Sequence, residues 1–167
     1  MNNEISPKDL TDLVLQLGKK LVAANMSVAT AESCSGGGIA YYMTEVAGSS
    51  DWFERAFVTY SNLAKQEMLN VDESILEGFG AVSEQTVSQM VSGALVNSPA
   101  DIAVAVSGIA GPSGGSEDKP VGTVCFAWGY RDRPVRTSTH LLEGDRSQVR
   151  LKTIAIAIKG ILANFSH

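Results

Sequence analysis

Apolar residues after Ser6-Pro7 recur at helical spacing. Leu10, Leu13, Val14, Leu17 and Leu21 share one face, which predicts an amphipathic helix over residues 7–25. Ser6 suits its N-cap and Pro7 its first helical position. Residues 27–31 switch to a short β-type run, and a helical pattern of small residues covers 37–46. Gly48-Ser49-Ser50 reads as a turn, 53–60 as a second strand, 61–69 as a short helix and 73–78 as a further helical turn. Ser83 then caps a longer helix with Val87, Met90, Val91, Ala94 and Leu95 on one face, stopped by Asn97-Ser98-Pro99.

Residues 102–106 are almost continuously apolar, as in a strand covered on both sides. A loop dense in Gly, Ser and Pro follows over 107–120. Residues 121–130 and 134–142 predict paired strands turning at Arg131-Asp132-Arg133. Asp145 suits the cap of a last helix, with Leu151, Ile154, Ile158, Ile161 and Phe165 on its apolar face. Strands and helices alternate first and a hairpin comes later. That order predicts a three-layer α/β/α sandwich with a mixed sheet of about five strands. The 167 residues show no repeat and no linker, so the whole chain, 1–167, reads as a single domain.

Glycine placement marks the chemistry. Nine of the 16 glycines fall in two loops, Gly36, Gly37, Gly38 and Gly48 in one and Gly108, Gly111, Gly114, Gly115 and Gly122 in the other. Both loops follow predicted strands, where α/β sheets collect ligands. The first begins Thr30-Ala31-Glu32-Ser33-Cys34-Ser35-Gly36-Gly37-Gly38, a strand running into hydroxyls, a thiol and three glycines. Such a corner can set a nucleophile beside backbone amides that favour negative charge.

Composition narrows the classes. With 44% hydrophobic and 19% charged residues the chain is globular, and no run approaches the roughly 20 apolar residues of a membrane span. Residues 1–9 are polar and carry two acids, unlike a secretory signal. A net charge of −5 argues against nucleic acid as partner. Cys34 and Cys125 have no metal-ligand spacing, so the expectations are a cytoplasmic setting and no metal. Histidine occurs only at His140, in a predicted strand, and at His167, in the C-terminal tail. A Ser-His-Asp triad would need His140, so a serine nucleophile calls for a different base.

Several residues can do chemistry here. Ser33 is either a nucleophile or a turn serine bonded to nearby amides. Cys34 is either its competitor or a small buried apolar residue. Tyr60 and Lys65 end the second strand and open the next helix. Each can reach Ser33 if the first two strands are neighbours, Lys65 as a base once burial lowers its pKa and Tyr60 as a holder or relay. Lys65 can equally be a solvated helix lysine. Ser107-Gly108-Ile109-Ala110-Gly111-Pro112 allows close backbone approach to a ligand or is simply a turn. Arg146 and Arg150 near a helix start make either a phosphate clamp or a solvated face. Glu32 can orient a ligand or pair with one of these cations.

Six segments in order carry a resemblance: Thr30 to Gly37, Phe57-Val58-Thr59-Tyr60-Ser61-Asn62 with Lys65, Gly80-Ala81-Val82-Ser83, Ser107 to Pro112, Lys119-Pro120-Val121-Gly122-Thr123-Val124, and Gly144-Asp145-Arg146. Together they resemble the CinA C-terminal family over roughly residues 8 to 163. Characterised members hydrolyse the carboxamide of nicotinamide mononucleotide to nicotinic acid mononucleotide and ammonia, in pyridine nucleotide recycling. The resemblance implies Ser33 as nucleophile, Lys65 as its base and Tyr60 in the same proton network. Arg146, with Arg150, would hold the phosphate. Glu32, Gly36, Gly37, Ser107, Gly108, Ala110 and Gly111 would line the substrate. It implies no cofactor, a small pyridine nucleotide as the ligand, and a homodimer. Two alternatives stay open to the sequence. One is a nucleotide-binding paralogue without turnover, and the other is a competence- or damage-associated partner protein.

Overall fold

The computed structural model describes residues 4–165, so His167 lies outside the described residues. The chain forms α1 (Pro7–Ala24), β1 (Val28–Glu32), α2 (Gly38–Thr44), β2 (Phe53–Val58), α3 (Asn62–Leu69), α4 (Glu73–Phe79), α5 (Glu84–Val96), β3 (Ile102–Gly108), β4 (Thr123–Tyr130), β5 (Arg136–Leu141) and α6 (Arg146–Leu162). The caps read at Ser6, Ser83 and Asp145 are in place, and Ser61 adds one at α3. Ser6 and Asp9 exchange side-chain and backbone hydrogen bonds in a capping box, and Ser61, Ser83 and Asp145 each accept from an amide of the first turn.

The sheet order is β2-β1-β3-β4-β5. β1 pairs in parallel with β2 and β3, and β4 is antiparallel to β3 and β5, so the sheet is mixed as expected. Register aligns the carboxyl ends of the parallel strands, since Glu32 faces both Val58 and Val106. The residues just beyond those ends therefore share one edge of the sheet.

Alternation along β3 builds two cores. Ile102, Val104 and Val106 pack on one face with Leu10, Leu17 and Leu21 of α1 and Ile154, Ile158 and Ile161 of α6. Ala103 and Ala105 face the opposite way, onto Val87, Met90 and Val91 of α5 and Leu69 of α3. Small residues on that face let α5 and α3 sit close to the sheet. The layers are thus α1, α2 and α6, then the sheet, then α3, α4 and α5.

Several expected boundaries shift for local reasons. Helix α2 starts at Gly38 rather than Gly37, because Gly36 and Gly37 hold positive φ values of 60° and 90°. It ends at Thr44, not Val46. Strand β2 stops at Val58, not Tyr60. The Thr59 amide still reaches the Glu32 carbonyl at 2.8 Å, but the chain then turns to the Ser61 cap. β3 runs to Gly108, two residues beyond the apolar run, because β4 pairs with it through Val124. β4 starts two residues later than expected and β5 is trimmed at both ends, to 123–130 and 136–141.

Helix α3 approaches α5 at one point where no side chain fits. A Cβ on Gly93 would run into the Leu69 carbonyl at the end of α3. Gly93→Ala should therefore cost about 3 kcal/mol and lower Tm by roughly 10 °C in a thermal melt. A melt unchanged within error would mean that α3 does not depend on that contact.

Candidate active site

The Ser33 corner is built by the end of β1. The Ser33 amide still donates to the Val106 carbonyl of β3 at 3.2 Å, and the chain then folds back. The Gly36 amide donates to the Ser33 carbonyl at 3.0 Å and the Gly38 amide to the Ser35 carbonyl at 2.9 Å. These bonds use two of the corner amides. Among the described residues, the amides of Cys34, Ser35 and Gly37 have no main-chain acceptor.

Glu32 holds this corner from inside. It is fully buried, and its carboxyl oxygens accept from Ser35 Oγ (2.7 Å), Thr30 Oγ1 (3.0 Å) and the Ile39 and Ala40 amides (2.9 and 3.0 Å). Gly37 offers α2 no side-chain cap, so Glu32 satisfies its first-turn amides instead. The expectation that Glu32 orients a ligand or pairs with a cation is corrected. All its acceptor capacity is spent within the corner, away from solvent.

Lys65 reaches Ser33 from the opposite side of the cleft. It lies in the first turn of α3, where the Ser61 cap directs its side chain back under the ends of β1 and β2. Its Nζ is 3.0 Å from Ser33 Oγ, 2.9 Å from the Thr59 carbonyl and 3.2 Å from the Tyr60 carbonyl. The residue is 1% exposed, and no carboxylate pairs with it among the described residues. Burial without a counter-charge lowers its pKa to about 8. A neutral lysine amine has two N–H bonds and one lone pair. With the carbonyls taking the N–H bonds, the lone pair is left toward Ser33 Oγ.

Around this pair lies a cleft of about 220 Å³. Ser33, Cys34, Lys65 and Tyr60 form one side, and Ser107, Gly108, Ala110 and Arg146 the other, as the two-loop reading expected. Ala81 and Val82 complete it with an apolar wall that no residue-by-residue reading had assigned. Their signal was positional, a tetrapeptide just before the Ser83 cap. The Thr59 and Tyr60 carbonyls were also missed, since a main-chain acceptor leaves no mark in sequence. A roomier groove of about 790 Å³ between α1 and α6 is lined by acidic, amide, basic and apolar side chains and contains no nucleophile.

Other expected residues fall in different places. Tyr60 enters the hydrogen-bond network through its carbonyl, which accepts from Lys65 Nζ at 3.2 Å and lies 3.4 Å from Ser33 Oγ. The residue is 64% exposed at the rim of the cleft, and its phenol makes no hydrogen bond to Ser33 or Lys65 among the described residues. Cys34 lines the cleft, but burial pushes its thiol up to about 11, which leaves little thiolate to compete with Ser33. Arg146 Nη1 donates to the Gly111 carbonyl at 2.7 Å and tethers the second glycine loop to α6. Arg150 Nη2 donates to the Ser35 carbonyl at 3.3 Å and does not line the cleft, and neither do Gly36 and Gly37. His140 bonds Ser138 Oγ at 3.1 Å and sits edge-on to Phe126, away from Ser33.

The chain is 50% identical over 161 residues, 96% of its length and 98% of the relative's, to a nicotinamide-nucleotide amidohydrolase (PncC) of Enterobacter agglomerans. It is 48% identical, with the same coverage, to the nicotinamide-nucleotide amidohydrolase PncC of Escherichia coli K12. Its fold superposes on the crystal structure of the competence/damage inducible protein CihA from Agrobacterium tumefaciens, with a TM-score of 0.90, 43% identity and 98% of each chain covered. The family model of the CinA C-terminal domain matches residues 10–165. Sequence and fold agree: the chain belongs to the CinA C-terminal domain family.

Proposed function

We propose that this chain is a nicotinamide-nucleotide amidase that hydrolyses nicotinamide mononucleotide to nicotinic acid mononucleotide and ammonia through Ser33 and Lys65. The observation that carries the chemistry is the buried Lys65 amine 3.0 Å from Ser33 Oγ, with no carboxylate to keep it charged. The substrate follows from the relatives, which bear that activity in their names at about half identity over nearly the full chain.

The steps follow from the geometry. Neutral Lys65 takes the Ser33 proton as Oγ attacks the carboxamide carbon. Negative charge grows on the amide oxygen, and the free Cys34 and Ser35 amides are its nearest candidate donors, each worth roughly 3 kcal/mol in such a role. Lys65 returns the proton to the departing ammonia. Water then hydrolyses the Ser33 ester by the same route, with Lys65 again as base. The Ala81-Val82 wall suits the pyridine ring. Arg146, exposed at the cleft, supplies a cation for the 5′-phosphate with the N–H groups that Gly111 does not use.

The setting accords with this reading. Cys34 and Cys125 are free and buried, as suits a cytoplasmic enzyme. Exposed Tyr41, Val58, Tyr60 and Leu63 lie on and around β2, an edge strand, and support a homodimer.

Ammonia release from nicotinamide mononucleotide tests the proposal directly. Ser33→Ala should lower kcat by at least about a thousandfold while the protein stays folded; near-normal turnover would remove Ser33 as nucleophile. The base must be neutral, so kcat should rise with pH through about 8, following Lys65. A profile flat across that range would count against Lys65. Tyr60→Phe should keep kcat within about threefold, because the carbonyl and not the phenol contacts the pair. A loss as large as that of Ser33→Ala would restore the phenol relay.

Lys65 also links pH to stability. Its folded pKa of about 8 lies below the free value of 10.5, so between them the unfolded chain holds more protons and stability rises with pH. Compared with Lys65→Met, the wild type should gain about 3 kcal/mol between pH 7 and 11 in urea unfolding. A constant difference between the two proteins would show that the lysine is not perturbed.

A further inference from the structure

The two arginines of α6 do different things. Arg146 lines the cleft and Arg150 does not. Arg150 Nη2 donates to the Ser35 carbonyl at 3.3 Å. That carbonyl belongs to the Ser35–Gly36 peptide, whose N–H donates to the Ser33 carbonyl at 3.0 Å. The Ser33 carbonyl in turn belongs to the Ser33–Cys34 peptide. Its N–H, the amide next to the nucleophile, has no main-chain acceptor among the described residues. A guanidinium is thus joined to the amide beside Ser33 through two peptide units and two hydrogen bonds. A carbonyl that accepts a bond polarises its own peptide and strengthens what the N–H can donate, most of all in a low-dielectric interior.

The packing is shaped to keep Arg150 there. A Cβ on Gly36 would stand 3.1 Å from Nη2, and Gly36 adopts φ +60°. One turn along α6, Ile154 fills the space over Gly38, where a Cβ would meet Ile154 Cδ1 at 2.7 Å. One face of α6 therefore grips both ends of the glycine corner. Arg150 Nε is buried with no partner among the described residues, which leaves the Nη2 bond to the Ser35 carbonyl as the contact that ties the guanidinium to the corner.

We propose that Arg150 is a positioning residue that polarises the Cys34 amide through this peptide relay, making it a stronger donor to the oxyanion formed at Ser33. Of the two arginines, only Arg146 then meets the phosphate. This inference rests on the amidase reading.

The test combines ammonia-release kinetics on nicotinamide mononucleotide with amide NMR spectra of the wild type, Arg150→Ala and Arg146→Ala. Arg150→Ala should lower kcat about tenfold and leave KM within about threefold, whereas Arg146→Ala should mainly raise KM. Added guanidine should restore part of the kcat of Arg150→Ala. The Gly36 and Cys34 amide protons should move upfield in Arg150→Ala, as weakened donors do. A raised KM with kcat kept would make Arg150 a ligand contact and overturn the relay, as would an unmoved Cys34 amide. An inactive wild type would sink the amidase reading instead, and the amide shifts would then decide the relay alone. If Arg150→Ala does not fold, Arg150→Lys, a cation without the planar fork, must show the same split between kcat and KM.

Discussion

A lysine amine held out of water without a counter-ion is the constraint on which the rest of the site depends. Burying a charged ammonium is costly, and the usual escape is a carboxylate partner. Here the partners are two carbonyls and a serine hydroxyl. They satisfy the amine's hydrogen bonds without stabilising its charge as a carboxylate would. Its pKa falls to about 8, far enough below the free value that an uncharged fraction is present close to neutral pH and grows above it, as the proposed base for Ser33 requires. The same arrangement explains why β2 stops where it does. Had Thr59 and Tyr60 continued as strand, their carbonyls would not both be turned toward Lys65.

The Ser33 corner that faces this amine is fixed as well, and Glu32 fixes it from the opposite side. Four hydrogen bonds converge on its carboxyl group, from side chains of β1 and the corner and from the first turn of α2. The acid next to Ser33 in sequence is thus pointed away from Lys65 in space. A strand alternates its side chains, so Glu32 falls on the α2 and α6 side of the sheet while Lys65 comes from the α3 side. Had Glu32 faced Lys65, it would have formed an ion pair and raised the lysine pKa. The two arginines of α6 extend this division of labour. Arg146 ties down the second glycine loop and faces the cleft, and Arg150 braces the first loop from behind.

Much of this was legible in the chain. Helical periodicity and side-chain caps are local, so α1, α5 and α6 and their capping residues could be read from spacing. The apolar run of β3 announced a strand covered on both faces. Glycine-rich loops after strands marked the right edge of the sheet, and the scarcity of histidine directed attention to lysine as the base. Six motifs sufficed to place the chain in its family.

The sequence by itself determined which elements form and that the sheet is mixed, and it named Ser33 and Lys65 as candidates that could meet if β1 and β2 were neighbours. Only the tertiary structure decided what each neighbouring group does. It turned Glu32 inward, set the Tyr60 carbonyl rather than its phenol against the pair, moved Arg150 out of the cleft, and raised a wall from Ala81 and Val82. The physical reason is common to all four. A residue's type and spacing specify local backbone and the face it takes. Which polar atom is consumed by which partner depends on donors and acceptors brought together from distant segments, and main-chain carbonyls and amides look the same at every position in a sequence.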